Sequence, residues 1–128
     1  MNTPDLPRPM NPAEFYALLA LSRGDTYGYA LKAIMRNDSL GGVVVGDNKI
    51  YRLLERLVDE AWVDEAGSQP AGPSGKPRRH YAITVHGQLR LKEELQRLEH
   101  AARIGRAAGL MDDSTPLDIQ RLLLEAAR

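Results

Sequence analysis

The chain has no cysteine, which excludes disulfide bonds, thiolate nucleophiles and cysteine-ligated zinc, and nothing points to an oxidising compartment. It also has no apolar run long enough to span a bilayer, and its start, MNTPDLPRPMNP, is proline-rich without a signal-type apolar stretch. A soluble, cytoplasmic protein with no membrane partner is expected. Net charge is missing too, since 17 basic residues cancel 17 acidic ones. Any polyanionic partner must therefore be argued from how charge is distributed. The three histidines, His80, His86 and His100, lack metal-ligand spacing and paired carboxylates. No nucleophile and base stand in a recognisable pattern, and GGVVVG lacks the Lys-Ser/Thr ending of a phosphate loop. The expectation is a protein that is not an enzyme and carries no cofactor and no metal.

One acidic absence is local. From Ala66 to Lys92 there is no Asp or Glu, whereas Lys76, Arg78, Arg79, Arg90 and Lys92 all fall in that window. What is present across 128 residues, at 43% hydrophobic content, suffices for one modest core.

Residues 1–10 read as a disordered arm, rich in proline with almost nothing to bury. Asn11, Pro12 and Glu14 are set out as a capping box with a first-turn proline, ahead of the apolar helix AEFYALLAL. Thr26 can cap a second helix, YGYALKAIMRN, in which Gly28 would allow close helix contact. The β-branched VVV at 43–45 reads as a small strand, and Asp47 as the cap of a third helix. In that helix Ile50, Leu53, Leu54, Leu57, Val58 and Ala61 share one face; Asn48, Lys49, Arg52, Glu55, Arg56 and Asp59 share the other.

Next, WVDEA and RRHYAIT look like strands joined by the Gly/Pro/Ser loop 67–77, too long for a tight turn and therefore projecting. Thr84 can cap a long helix from about Val85 to Leu110, with Leu91, Leu95, Leu98 and Ala102 as a narrow seam suited to another helix. DDSTPLDIQRLLLEAAR then forms a short final helix whose apolar side includes Leu122. The fold class expected is α+β, mainly helical.

LLALSRGDTYGYALKAI, KIYRLLERLVDEAWV and RRHYAITVHG together resemble the three signature blocks of the PadR family of bacterial transcriptional regulators, over roughly residues 13–110. The blocks are a Gly-Tyr opening of the second helix, a Tyr-x-x-Leu-x-x-Leu recognition helix, and a wing strand ending in Tyr-x-x-Thr-x-x-Gly. Two positions depart from the family: Asn48 and Lys49 stand where Gly-Thr is common, and Ala61 stands where glycine commonly ends the recognition helix. The resemblance implies a winged helix-turn-helix with a long C-terminal dimerisation helix and a short final helix. It also implies a homodimeric repressor whose two recognition helices enter adjacent major grooves. The division expected is a disordered arm at 1–10, a winged-helix DNA-binding domain at 11–84, and dimerisation helices at 85–128.

The residues support this reading independently. A recognition helix needs an apolar face to dock it and long polar donors outside. Arg52 is central on the outer face, flanked by Asn48 and Arg56, with Lys49 beside them. Tyr51 borders the apolar face, where its ring can pack while its hydroxyl reaches a phosphate. Lys76, Arg78 and Arg79 in the wing, and Lys32 on the second helix, complete the candidate contacts with double-stranded DNA. Leu91, Leu95, Leu98, Ala102 and Leu122 are the candidates for dimerisation.

The functional expectation is thus a sequence-specific DNA-binding repressor acting as a homodimer on a pseudo-palindromic operator, with a change of dimer angle releasing it. The alternative is a winged-helix protein-interaction module without direct DNA binding, which would use Glu55 and Asp59. A small-molecule effector of unspecified identity is open. Some PadR-type regulators stack flat aromatic or cationic molecules between dimer helices, but no aromatic lies between Val85 and Leu110, which argues against such a pore.

Overall fold

The computed structural model describes residues 6–69 and 78–112. Among them are four helices and three strands: α1 (Pro12–Leu21), β1 (Thr26–Tyr27), α2 (Gly28–Asp38), α3 (Asp47–Asp59), β2 (Val63–Gln69), β3 (Arg78–Ile83) and α4 (Val85–Ala107). The strands form an antiparallel sheet in the order β1-β3-β2, and the fold is predominantly helical, as the α+β reading expects.

α1 starts where its sequence says it should. Asn11 Oδ1 accepts a hydrogen bond from the Glu14 amide at 2.8 Å, and Glu14 Oε1 accepts one from the Asn11 amide at 3.3 Å. The helix is apolar on most sides because it is central. Phe15, Ala17, Leu18, Ala20 and Leu21 are buried, against Leu31 and Met35 of α2, Ile50, Leu54 and Leu57 of α3, Val63, Tyr81 and Leu91.

Several local expectations are corrected. Thr26 does not cap α2; it pairs in β1 with Tyr81 of β3, and Tyr27 precedes the helix without a side-chain cap. The Val43–Val45 run is not a strand; the sheet is built without it, in the order β1-β3-β2. Val43 and Val45 instead rest on the core side-on, while Val44 is 68% exposed. Gly46, not Asp47, is the cap residue of α3. Val58 and Ala61 are exposed, so the buried stripe of α3 is narrower than its periodicity suggests.

The N-terminal arm is corrected in part. Residues 1–5 lie outside the described residues, but Met10 is in the core cluster and residues 7–10 are fastened to α4. The Met10 amide donates to Glu94 Oε2 at 3.3 Å, Arg90 donates to the Arg8 carbonyl and Arg97 to the Pro7 carbonyl. Proline removes amide donors from such a segment but leaves its carbonyls free to accept. α4 ends at Ala107, three residues short of the sequence expectation, and the final helix with Leu122 falls outside the described residues.

Candidate nucleic-acid interface

α3 is held by one face and free on the other. Ile50, Leu53, Leu54 and Leu57 are buried; Asn48, Lys49, Tyr51, Arg52, Glu55 and Arg56 are exposed. Lys49 and Arg52 make no ion pair with any described residue. Arg56 leans toward α1, its Nε 3.9 Å from Glu14 Oε2. The structure therefore brings Asn48, Lys49 and Arg52 together as an unpaired polar face and draws Arg56 to its edge.

Tyr51 lies across the start of α2. A Cβ on Gly28 would sit 3.0 Å from Tyr51 Cε1 and 3.3 Å from its hydroxyl oxygen, so glycine is what admits the ring. The tyrosine is still 47% exposed. Its hydroxyl thereby stands beside the positive end of α2, where backbone amides favour an anion. Lys32 is less available than expected: its side chain is partly buried, and its ammonium pairs with Asp47 and lies 5.3 Å from the Tyr29 ring centroid.

Sequence reasoning passed over Tyr29, Arg36 and Val44. Tyr29 is 72% exposed, and Tyr29, Lys32 and Arg36 line one side of a groove closed by Val44 and Val45. Their i, i+3, i+7 spacing on α2 was the available signal. It was masked by the usual preference of tyrosine for packed positions.

In the wing, β2 and β3 pair with Val63 opposite Ile83 and Gln69 opposite Arg78, with an irregularity between Glu65 and Ser68. Arg79 Nε is 3.6 Å from Glu65 Oε1, both side chains being largely exposed. β2 thus sets a carboxylate against one of the wing cations, which the acid-free window starting at Ala66 just misses. Lys76 lies outside the described residues, and of Arg78 only the backbone pairing is described. Tyr81, opposite Glu65, is buried, and burial followed by the Glu65 charge pushes its phenol above the usual range, with Arg79 offsetting part of this.

The root of the wing explains the Tyr-x-x-Thr-x-x-Gly string. Thr84 caps α4 by accepting from the Gly87 amide at 2.9 Å and donates its own hydroxyl to the Ala61 carbonyl at 2.6 Å. The Trp62 carbonyl accepts from the Thr84 amide at 3.0 Å and would lie 2.2 Å from a Cβ on Gly87. The end of α3, β3 and the start of α4 are thereby locked at one point.

The seam expected on α4 divides. Leu91 is 4% exposed and belongs to the core, whereas Leu95 and Leu98 are 41% and 48% exposed; Ala102 is half-buried. Leu89 and Ile104 are exposed as well. No helix among the described residues is long and apolar enough to cross a membrane.

Comparison with solved structures finds the same fold repeatedly. A PadR-like transcriptional regulator of Bacillus cereus is 24% identical, with a TM-score of 0.61 over 78% of this chain and 93% of that one. A PadR-like transcription factor of Bacteroides fragilis is 19% identical, with a TM-score of 0.61 over 75% and 88%. PadR of Bacillus subtilis, solved in complex with operator DNA, is 16% identical, with a TM-score of 0.62 over 93% and 92%. Among curated proteins no sequence matches. The transcriptional regulator PadR-like family matches residues 17–93, which contain α2, α3, the wing strands and the locked start of α4, and the chain belongs to that family.

Proposed function

We propose that the protein is a sequence-specific DNA-binding repressor that acts in the cytoplasm as a homodimer on a pseudo-palindromic operator. In this reading residues 11–84 bind DNA and residues 85–128 make the dimer. The observation that carries it is α3, anchored by four buried residues and presenting Asn48, Lys49 and Arg52 outward without competing ion pairs among the described residues. Such a face suits a major groove, where a guanidinium can bond two acceptors of guanine. The operator-bound state of the Bacillus subtilis relative supports carrying this geometry over.

Roles divide by chemistry. Arg52 reads a base; Lys49, Tyr51, Arg78 and Lys76 meet phosphates, with Arg79 shared between Glu65 and DNA, and Lys32 and Arg56 acting from the edges. Leu95 and Leu98, with Ala102 and Leu122, meet a second copy. The chain has no role for a catalytic group in this scheme.

Titration of a promoter fragment from the protein's own operon and of random DNA, at several salt concentrations, tests the division. Arg52→Ala should cost about 1–3 kcal/mol on the operator and much less on random DNA. Arg78→Ala should weaken both and lower the salt slope by about one unit. If neither variant alters DNA binding, the protein-interaction reading takes precedence; exposed Glu55 and Asp59 on the same helix would then be its contacts.

A further inference from the structure

The ridge of α3 opposite its buried stripe carries Asn48 and Arg52, four residues apart and therefore in one line. Charge assigns tasks to the cations of this helix, but it assigns none to Asn48. The Asn48 side chain is exposed and makes no hydrogen bond with any described residue. Its surroundings leave it open to a ligand. Asp47, the acidic residue of the same turn, is held by Lys32 of α2, so its charge is balanced within the protein. Gly46, the cap residue, has open space where a Cβ would stand. The first turn of α3 is thus uncovered on the side that an approaching partner would meet.

A carboxamide sets a donor beside an acceptor and carries no charge. Phosphates draw cations, so a neutral amide at the tip of this helix suits a base edge better than a backbone. In the major groove adenine presents an acceptor, N7, next to an amino donor, N6. Guanine presents two acceptors, cytosine an amino donor, and thymine an acceptor and a methyl group. Adenine is the base whose edge satisfies both ends of an asparagine side chain. Spacing adds a second constraint. At ~1.5 Å per residue, Asn48 and Arg52 stand about 6 Å apart along the helix, which is roughly two steps of the ~3.4 Å base-pair rise.

We propose that Asn48 is a specificity-determining residue that reads an adenine in each half-site, about two base pairs from the guanine bound by Arg52. The assignment deepens the DNA-binding reading above and rests on it. Asn48 is one of the positions at which the chain departs from its family, so this adenine is a feature of the protein's own operator.

Selection of bound duplexes from a random-sequence pool, run in parallel with the full-length wild type, Asn48→Ala and Arg52→Ala, tests the assignment. The wild-type pool should converge on half-sites with an A·T pair about two positions from a G·C pair. Asn48→Ala should lose the preference for A·T and keep that for G·C, and Arg52→Ala should do the reverse. Because Asn48 is exposed, the variant should keep the wild-type urea midpoint, which separates a lost contact from a lost fold.

A second measurement needs only the wild-type protein. An adenine analogue with a carbon in place of N7 keeps Watson–Crick pairing but removes the acceptor. Placed at the selected adenine, it should weaken wild-type binding about fivefold and leave Asn48→Ala binding unchanged. An A·T preference that persists in Asn48→Ala, or wild-type affinity indifferent to the analogue, would overturn the assignment and spare the repressor reading. A wild-type pool that never converges on a sequence would reject that reading and the assignment with it.

Discussion

Ala61 holds a left-handed backbone, with φ of 62°, at the end of α3. The Trp62 amide donates to the Leu57 carbonyl and the Ala61 amide to the Val58 carbonyl, the paired bonds that usually bring glycine to this position. Leu40, with φ of 55°, ends α2 in the same way, its amide and that of Gly41 bonding back to Asn37 and Arg36. The departure from the family at Ala61 therefore leaves the turn intact and loads it with side-chain strain. Ala61→Gly should stabilise the protein by about 1 kcal/mol, the left-handed penalty less the added entropy of the unfolded chain, as read from urea midpoints. Gly87 is the opposite case. Its missing Cβ faces a backbone carbonyl rather than a yielding side chain, so Gly87→Ala should cost about 3 kcal/mol or more, measured in the same unfolding experiment.

α4 shows how one helical face can serve two environments. At 23 residues it extends roughly 35 Å at ~1.5 Å per residue. Its seam is covered by α1 near Leu91 and emerges bare at Leu95 and Leu98. The same substitution should then have different consequences four residues apart. Leu95→Glu should leave a folded chain that sediments as a monomer. Leu91→Ala should cost about 2–5 kcal/mol of stability in thermal or urea unfolding, with any loss of the dimer following from unfolding. A Leu95→Glu protein that remains dimeric and folded would move the interface elsewhere on α4, toward Leu89 or Ile104.

Across the molecule, the segment before α1 is tied to α4 through a carboxylate that is almost fully buried. Glu94 Oε2 lies 2.7 Å from Arg97 Nη1 and 3.6 Å from Arg90 Nη1 and also receives the Met10 amide. Arg90 in turn stands 5.7 Å from the Trp62 ring centroid, which links the cluster to the wing root. Residues 7–10, the wing root and α4 are thus joined through one cluster of contacts. Glu94→Ala leaves two guanidinium groups without their shared anion. It should cost about 3 kcal/mol or more and open residues 6–10 to proteolysis. Unchanged stability together with unchanged protease resistance would show that the strap carries no load.

The features legible from sequence are those governed by neighbours along the chain. The Asn11–Glu14 capping box, the Thr84 cap and the docking stripe of α3 all depend on offsets of three or four residues; both caps are found where their spacing places them, and the stripe is found from Ile50 to Leu57. Val43–Val45 misled because β-branched residues make a strand only where the fold brings a partner strand alongside, and it is Thr26–Tyr27 that is brought against β3. Met10 was hidden for the same kind of reason: its partner Glu94 is 84 residues away, and nothing near a proline-rich start announces such a contact. In the candidate site, the outward face of α3 could be read from its periodicity, but the pairing of Lys32 with Asp47 and the resting of Tyr51 on Gly28 could not. Local periodicity decides which side of a helix is polar. Which polar groups stay free for a ligand is decided by what the folded chain brings against them, because an ion pair or a ring contact depends on distance in space.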